Sequence, residues 1–244
     1  YPQCDGIRIV WAVHESEPGG LAPLRHMLHM AVAPCPVWRD GEFVEEPGFV
    51  PATAATYELP ELGPTEVYNT AHSEPITLAR AFPELRYIGV QGALLPAWAN
   101  AVFSSLGRIG FGEDLTVEAG GRSVDPVEVL WKLLWAHHQC RHGGEERQGM
   151  GVIQAQGLRG EELVASLSLV DPHPMARSTA LGAVAAGLRL LAGEHPAGAW
   201  GPEVLDAEMT LALLEELAGE IGAIPGGLRL QEGAAADKPV AAKG

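Results

Sequence analysis

Lysine is nearly missing from this chain. Lys132, Lys238 and Lys243 are the only three, against thirteen arginines. Two of them fall in the last stretch of sequence and the third adjoins Trp131 in a helical pattern, so Schiff-base chemistry on a buried lysine has little material. Cysteine is scarce too. Cys4, Cys35 and Cys140 are widely spaced and odd in number, which offers no disulfide framework. No apolar run reaches the length of a membrane span, and no signal peptide is recognisable. A cytoplasmic location is the expectation. Positive charge is outweighed throughout, at a net charge of -15. Nucleic acids and anionic membranes are held by clustered Lys and Arg, so neither is expected as a partner. An acidic surface ordinarily serves solubility.

Nucleotide-binding turns are missing as well. A G-x-G-x-x-G turn between strand and helix lets the backbone approach a pyrophosphate. Gly107, Gly110 and Gly112 have the wrong order and follow a helical pattern, and Gly149 with Gly151 lacks the third glycine. No G-x-x-x-x-G-K occurs. The chain by itself is not expected to bind NAD(P) or ATP through either motif. It opens on Tyr1 without a Met, as a fragment or processed product would.

What is present suffices for a core. The 244 residues are 47% hydrophobic and 19% charged. Residues 7–13 (IRIVWAV) read as a strand. Residues 21–31 have helical spacing. Asp40-Gly41 marks a hairpin. Residues 45–64, crowded with Pro, Thr and Glu, read as irregular. Residues 67–71 read as a short strand, 77–82 as a helix stopped by Pro83, 85–94 as a strand and 97–106 as a helix. Asp125-Pro126-Val127-Glu128 is a helix start with a capping Asp. Two strand-like runs, 151–155 and 162–170, are joined by a Gly-bearing loop. Helices are expected over 175–192 and 206–218. Residues 231–244 show no packing pattern and read as a disordered tail after one domain over 1–230. Strands outnumber a strict βαβ alternation. The expected fold is therefore α+β, a mixed, largely antiparallel sheet covered by helices on one face, with no Rossmann domain in this chain.

The junction of strand and helix at residues 67–78 carries the chemistry. His72, Ser73 and Glu74 put an imidazole, a hydroxyl and a carboxylate where α/β enzymes present side chains to ligands. A structural alternative stands beside this: Ser73 caps the following helix and Glu74 completes the cap. His14-Glu15, at the exit of the first strand, is a similar polar pair. Two histidine clusters are weaker candidates for a metal. His26 and His29, three apart, could join Glu15. His138 and His142, four apart with Cys140 near, lack a distant pair to complete a zinc pattern, and histidine is favoured at a helix C-terminus in any case.

A family resemblance rests on Tyr68-x-Thr70-x-His72-Ser73-Glu74-Pro75-x-Thr77-Leu78, followed by Phe82-Pro83 and a strand through Gly92. Further on, Gly151-Val152 to Asp171, then Ser178-Thr179-Ala180 opening a small-residue helix, keep the same order. Over residues 5–230 the chain resembles the second, substrate-side domain of the saccharopine dehydrogenase-like oxidoreductases, a group that includes lysine 6-dehydrogenase and carboxynorspermidine dehydrogenase. The resemblance implies hydride transfer between a nicotinamide and a carbon bearing an amine. NAD or NADP would be held by a Rossmann domain absent from this chain, and the domain seen here would supply the substrate wall and the contact of a homodimer. It implies an amino-acid-like substrate facing His72, Ser73 and Glu74, with Tyr68, Thr70 and Arg80 near. His72 would be proton shuttle or carboxylate ligand, and Glu74 the partner of a substrate ammonium. The resemblance implies no metal; two other readings stay open beside it, a stand-alone non-catalytic binding or dimerisation module and a metal-dependent hydrolase using the His137–His142 or His26–His29 clusters.

Overall fold

A computed structural model describes residues 4–14, 21–109, 111, 116–142, 150–172, 175–193, 195–220 and 229–233. The first strand, β1 (Gly6–His14), lies in the middle of a nine-stranded sheet. It is followed by α1 (Leu21–Val32) and by a hairpin of β2 (Cys35–Arg39) and β3 (Glu42–Glu46). Asp40 and Gly41 turn that hairpin with φ of 49° and 95°, the left-handed values a two-residue turn demands. A second hairpin, β4 (Ala55–Leu59) and β5 (Gly63–Asn69), leads through α2 (Glu74–Ala81) to β6 (Tyr87–Leu95) and α3 (Trp98–Arg108). A small separate ribbon, β7 (Val117–Ala119) with β8 (Arg122–Val124), precedes α4 (Pro126–His142). The long hairpin β9 (Gly151–Arg159) and β10 (Glu162–Asp171), then α5 (Met175–Leu191), α6 (Ala207–Glu220) and β11 (Arg229–Gly233), complete the described chain.

The main order is β11-β10-β9-β1-β6-β2-β3. Only β1 and β6 run parallel; every other pairing in the sheet is antiparallel. One edge of β6 is divided between two partners. β2 takes its first residues, Trp38 opposite Ile88, and β5 its later ones, Tyr68 opposite Gly92. The sheet is thus mixed and mostly antiparallel, as expected.

Alternation sorts the core. Ile9, Trp11 and Val13 of β1, with Val90 and Leu94 of β6, pack under Leu28 and Met30 of α1, Phe103 of α3 and Trp131 of α4. Ile7 and Ile88 meet α2 on the same side. Leu169, in register with Ile153 and so with Trp11, packs against Leu181 of α5 and Leu214 of α6. The six described helices therefore share one face. Val10, Ala12, Ala93, Val152 and Val170 point the other way and are covered by Tyr57, Leu59 and Val67 of the β4–β5 hairpin. Polar groups pin that cover in place. The Tyr57 hydroxyl donates to Gln91 Oε1 at 2.9 Å, Gln91 Nε2 to Asn69 Oδ1 at 3.0 Å, and Asn69 Nδ2 to Glu46 Oε2 at 2.7 Å.

Several local expectations hold. Asp125 Oδ1 accepts from the backbone N–H of Val127 and Glu128, capping α4. Asp206 Oδ1 accepts from Met209 N at 2.9 Å and caps α6. Two expectations are corrected. The stretch 45–64 is not irregular, because Glu61 (φ 67°) and Gly63 (φ 69°) bend it into the β4–β5 hairpin. Nor is the patternless tail complete from residue 231: Ser166 and Ser168 of β10 pair with Gly233 and Gln231, a backbone pairing that needs no side-chain periodicity. Residues 234–244 lie outside the described residues. Among the described residues no helix is long and apolar enough to cross a membrane.

Candidate functional site

The register of three strands builds the floor of the site. Tyr68, Gly92 and Trp11 lie in one row across β5, β6 and β1. A Cβ on Gly92 would stand 2.1 Å from Cε2 and 2.2 Å from Cζ2 of Trp11, so the indole occupies the space the glycine leaves open. Thr70 follows Tyr68 on the same side. Its backbone N–H donates to Val90 O at 3.2 Å, which extends the pairing past the end of β5. The chain then leaves the sheet at Ala71, whose N–H reaches Met30 O in α1. This turn delivers His72.

His72 Nδ1 is 2.5 Å from Glu74 Oε2. Glu74 is the first residue of α2, at the positive end of the helix. Burial acts to raise its pKa, but the hydrogen bond from His72, the charge of that imidazole, the helix backbone and the charge of His26 together hold it below the ordinary carboxylate value. The carboxylate is therefore charged at neutral pH and accepts the Nδ1 proton. Among the described residues no hydrogen bond to His72 Nε2 accompanies this one. The His26 ring of α1 meets the His72 ring edge to face, with centroids 5.3 Å apart, and the Trp11 ring lies 6.2 Å from His72. Burial, then the nearby charges of His72 and His29, lower the pKa of His26, while Glu74 partly opposes them. His26 thus favours its neutral form.

Ser73 takes the N-cap position of α2, and its carbonyl accepts from Ile76 and Thr77, yet its hydroxyl makes no capping bond. Tyr68 is held away from the imidazole. Its ring stacks on Phe49 at 5.5 Å and its hydroxyl donates to Glu66. Burial first, then that hydrogen bond and the Glu66 charge, push its pKa up to about 12. The expected consequence is a late tyrosine ionisation. Because the folded state favours the neutral phenol, the stability Tyr68 contributes is complete below pH ~10 and is lost as pH climbs through ~12. Absorbance titration of tyrosinate should show this late step, and Tyr68→Phe should delete it. A wild-type titration complete near pH 10 would contradict the burial.

The remaining candidates stand apart. Arg80 is exposed in the last turn of α2, six residues from Glu74, where helical geometry turns it off the Glu74 face. His14 pairs with Leu95, and alternation assigns it to the face of Ala12, opposite Trp11. Glu15 lies outside the described residues, as do the side chains of His138 and His142. Among the described residues no three His, Cys, Asp or Glu side chains are placed to hold a metal. A groove of about 410 Å³ opens elsewhere, where Val32 and Pro34 at the end of α1 face Glu45, Glu46, Ser104 and Arg108. Its Glu46 is already engaged by Arg39 and Asn69. The groove has carboxylates but no imidazole, whereas the His72 cluster pairs an imidazole with a carboxylate.

Sequence reasoning paired His26 with His29 and Glu15, and it passed over Trp11. No local pattern announces the meeting of His26 with His72, because it follows from α1 folding back over the sheet. The glycine at 92, facing a tryptophan in register, was the available signal for Trp11.

No family model matches the sequence, and no curated protein does. In three dimensions the chain is similar to the solved structure of apo, histidine-tagged saccharopine dehydrogenase (L-Glu forming) from Saccharomyces cerevisiae. The TM-score is 0.54 at 14% identity, over 95% of this chain and 68% of that one. The chain thus has a saccharopine dehydrogenase-like fold. Two strand-to-helix turns of the main sheet are fully described. The turn from β5 into α2 presents His72, Ser73 and Glu74, and that from β6 into α3 presents Pro96 and Ala97, so neither has the glycine cradle a pyrophosphate needs.

Proposed function

We propose that this chain is the substrate-side unit of an NAD(P)-dependent oxidoreductase that acts on the CH–NH group of an amino-acid-like or polyamine-like molecule. The single observation that carries the reading is the Glu74–His72 pair, which engages Nδ1 and leaves the second imidazole nitrogen without a hydrogen bond among the described residues. Oxidising an amine to an imine removes a proton from nitrogen. Glu74 fixes the tautomer with Nδ1–H, so neutral His72 offers the Nε2 lone pair as the base. The carboxylate then stabilises the imidazolium that forms. In the reductive direction the imidazolium returns the proton. His72 is on this reading a proton carrier rather than a carboxylate ligand, and Glu74 serves His72 rather than a substrate ammonium. The fold similarity to a saccharopine dehydrogenase supports the reaction class. The cofactor would be held outside the described residues, and the proton chemistry does not depend on how.

Glu74→Gln tests the assignment in the enzyme complete with its nicotinamide-binding part. The amide still accepts from Nδ1 but carries no charge. We expect kcat to fall ~10-fold or more with little change in KM, measured as steady-state NAD(P)H formation. A rise in KM at unchanged kcat would make Glu74 a ligand for the substrate and sink the proton-carrier reading.

A further inference from the structure

We propose that Trp11 and Thr70 form a subsite for a carboxylate or carbonyl oxygen of the ligand, next to His72; this rests on the reading of His72 as the proton-transferring group. Trp11 is 7% exposed and Thr70 1%. Among the described residues neither the indole Nε1 nor the Thr70 Oγ1 has a hydrogen-bond partner. Buried polar atoms are almost always paired, and an indole N–H can only donate. Two such atoms on one face of the sheet call for an acceptor that none of the described residues provides.

Their placement points to a single spot. Trp11 and Tyr68 flank Gly92 in one row, and Thr70 stands two residues beyond Tyr68 on the same side. Cε2, the ring carbon bonded to Nε1, is the indole atom nearest the missing Gly92 Cβ. The indole therefore lies over β6, between Trp11's own strand and the strand that carries Thr70. His72 follows Thr70 by two residues, with its ring 6.2 Å from the indole. Beyond it the His26–His72 ring pair meets edge to face without a hydrogen bond. As the side chains stand, both orphan atoms are shut off from water.

The chemistry of the spot selects the ligand group. A donor-only N–H beside a hydroxyl suits an oxygen acceptor and has nothing for an ammonium. Apolar neighbours, Leu28, Phe49 and Val90, strengthen hydrogen bonds made there. An α-carboxylate seated on Trp11 and Thr70 would bring the adjacent amine-bearing carbon alongside His72 Nε2, the arrangement the proton step requires.

The test is a titration of the full ¹⁵N-labelled chain with L-glutamate and with glutarate, followed by NMR. The six tryptophans give six indole signals, and Trp11→Phe identifies one of them. We expect the Trp11 N–H to shift downfield and exchange more slowly with water as either compound is added. Thr70→Val should weaken binding at least ~5-fold while the other five indole signals stay in place, which shows the variant folded. If the His72 imidazole signals respond and the Trp11 indole does not, the subsite is wrong and the reading of His72 survives. If the indole shows a persistent bound-water contact that neither compound displaces, a structural water is the partner and the subsite is overturned. If neither residue responds to either compound, the subsite fails and the proton-carrier reading loses its nearest support.

Discussion

His72→Ala should lower turnover at least ~100-fold in the enzyme complete with its nicotinamide-binding part, the low end for a lost acid–base group. The imidazole sits beside a charged carboxylate, and on the proposed reading its second nitrogen meets the substrate nitrogen. His26 is the nearest other base. It belongs to a different element and meets His72 edge to face, so it has no orienting carboxylate of its own. The substitution also strands Glu74. Two of the influences that hold its pKa down come from His72, whereas its burial, the largest influence, acts upward and remains. Glu74 should then take up a proton at higher pH than in the wild type. Added imidazole, filling the space left by the side chain, should recover part of the rate. Kinetics unchanged from wild type would remove His72 from the mechanism.

The second large effect concerns folding. Gly92→Ala places a carbon 2.1 Å from Cε2 and 2.2 Å from Cζ2 of Trp11, where real contacts do not fall below 3.0 Å. The neighbour cannot give way cheaply, because the indole is a rigid ring packed among Leu28, Val90 and Phe103 in the main core. Overpacking of this kind costs ~1–3 kcal/mol, and Gly92→Val should reach the upper part of that range or exceed it. The midpoint of urea unfolding should fall accordingly at an unchanged slope. Trp11→Leu made in the same chain should return part of the loss, because it removes the atoms that clash; the double-mutant cycle measures that coupling. A Gly92→Ala protein as stable as the wild type would mean that the indole does not rest on this glycine.

Legibility in the sequence followed the range of the cause. Asp40-Gly41 and the caps at Asp125 and Asp206 act within four residues, and each was readable from its neighbours. The strands 7–13 and 85–94 announced themselves by β-branched and aromatic content, though not that they would run parallel beside one another. The β4–β5 hairpin was hidden because Pro, Thr and Glu crowd its strands and its bend depends on Glu61 in a left-handed conformation. At the site, residues 72–74 stood out as a run of reactive types on one turn, but the direction of the Glu74 carboxylate, back onto His72, is a fact of three dimensions. His26 and Trp11 come from elements 46 and 61 residues away in sequence, positions 26 and 11 against 72, and only the folded sheet brings them there.

The position of β1 has a consequence for the newborn chain. One of its flanks is completed by β6 and the other by β9, whose residues begin only at 151, far downstream of β1. Until β9 has left the ribosome, the innermost strand has a bare row of amides and carbonyls, open to any stray partner. Ribosomal speed and chaperone cover, more than the eventual stability of the sheet, would then decide how much of this protein matures correctly.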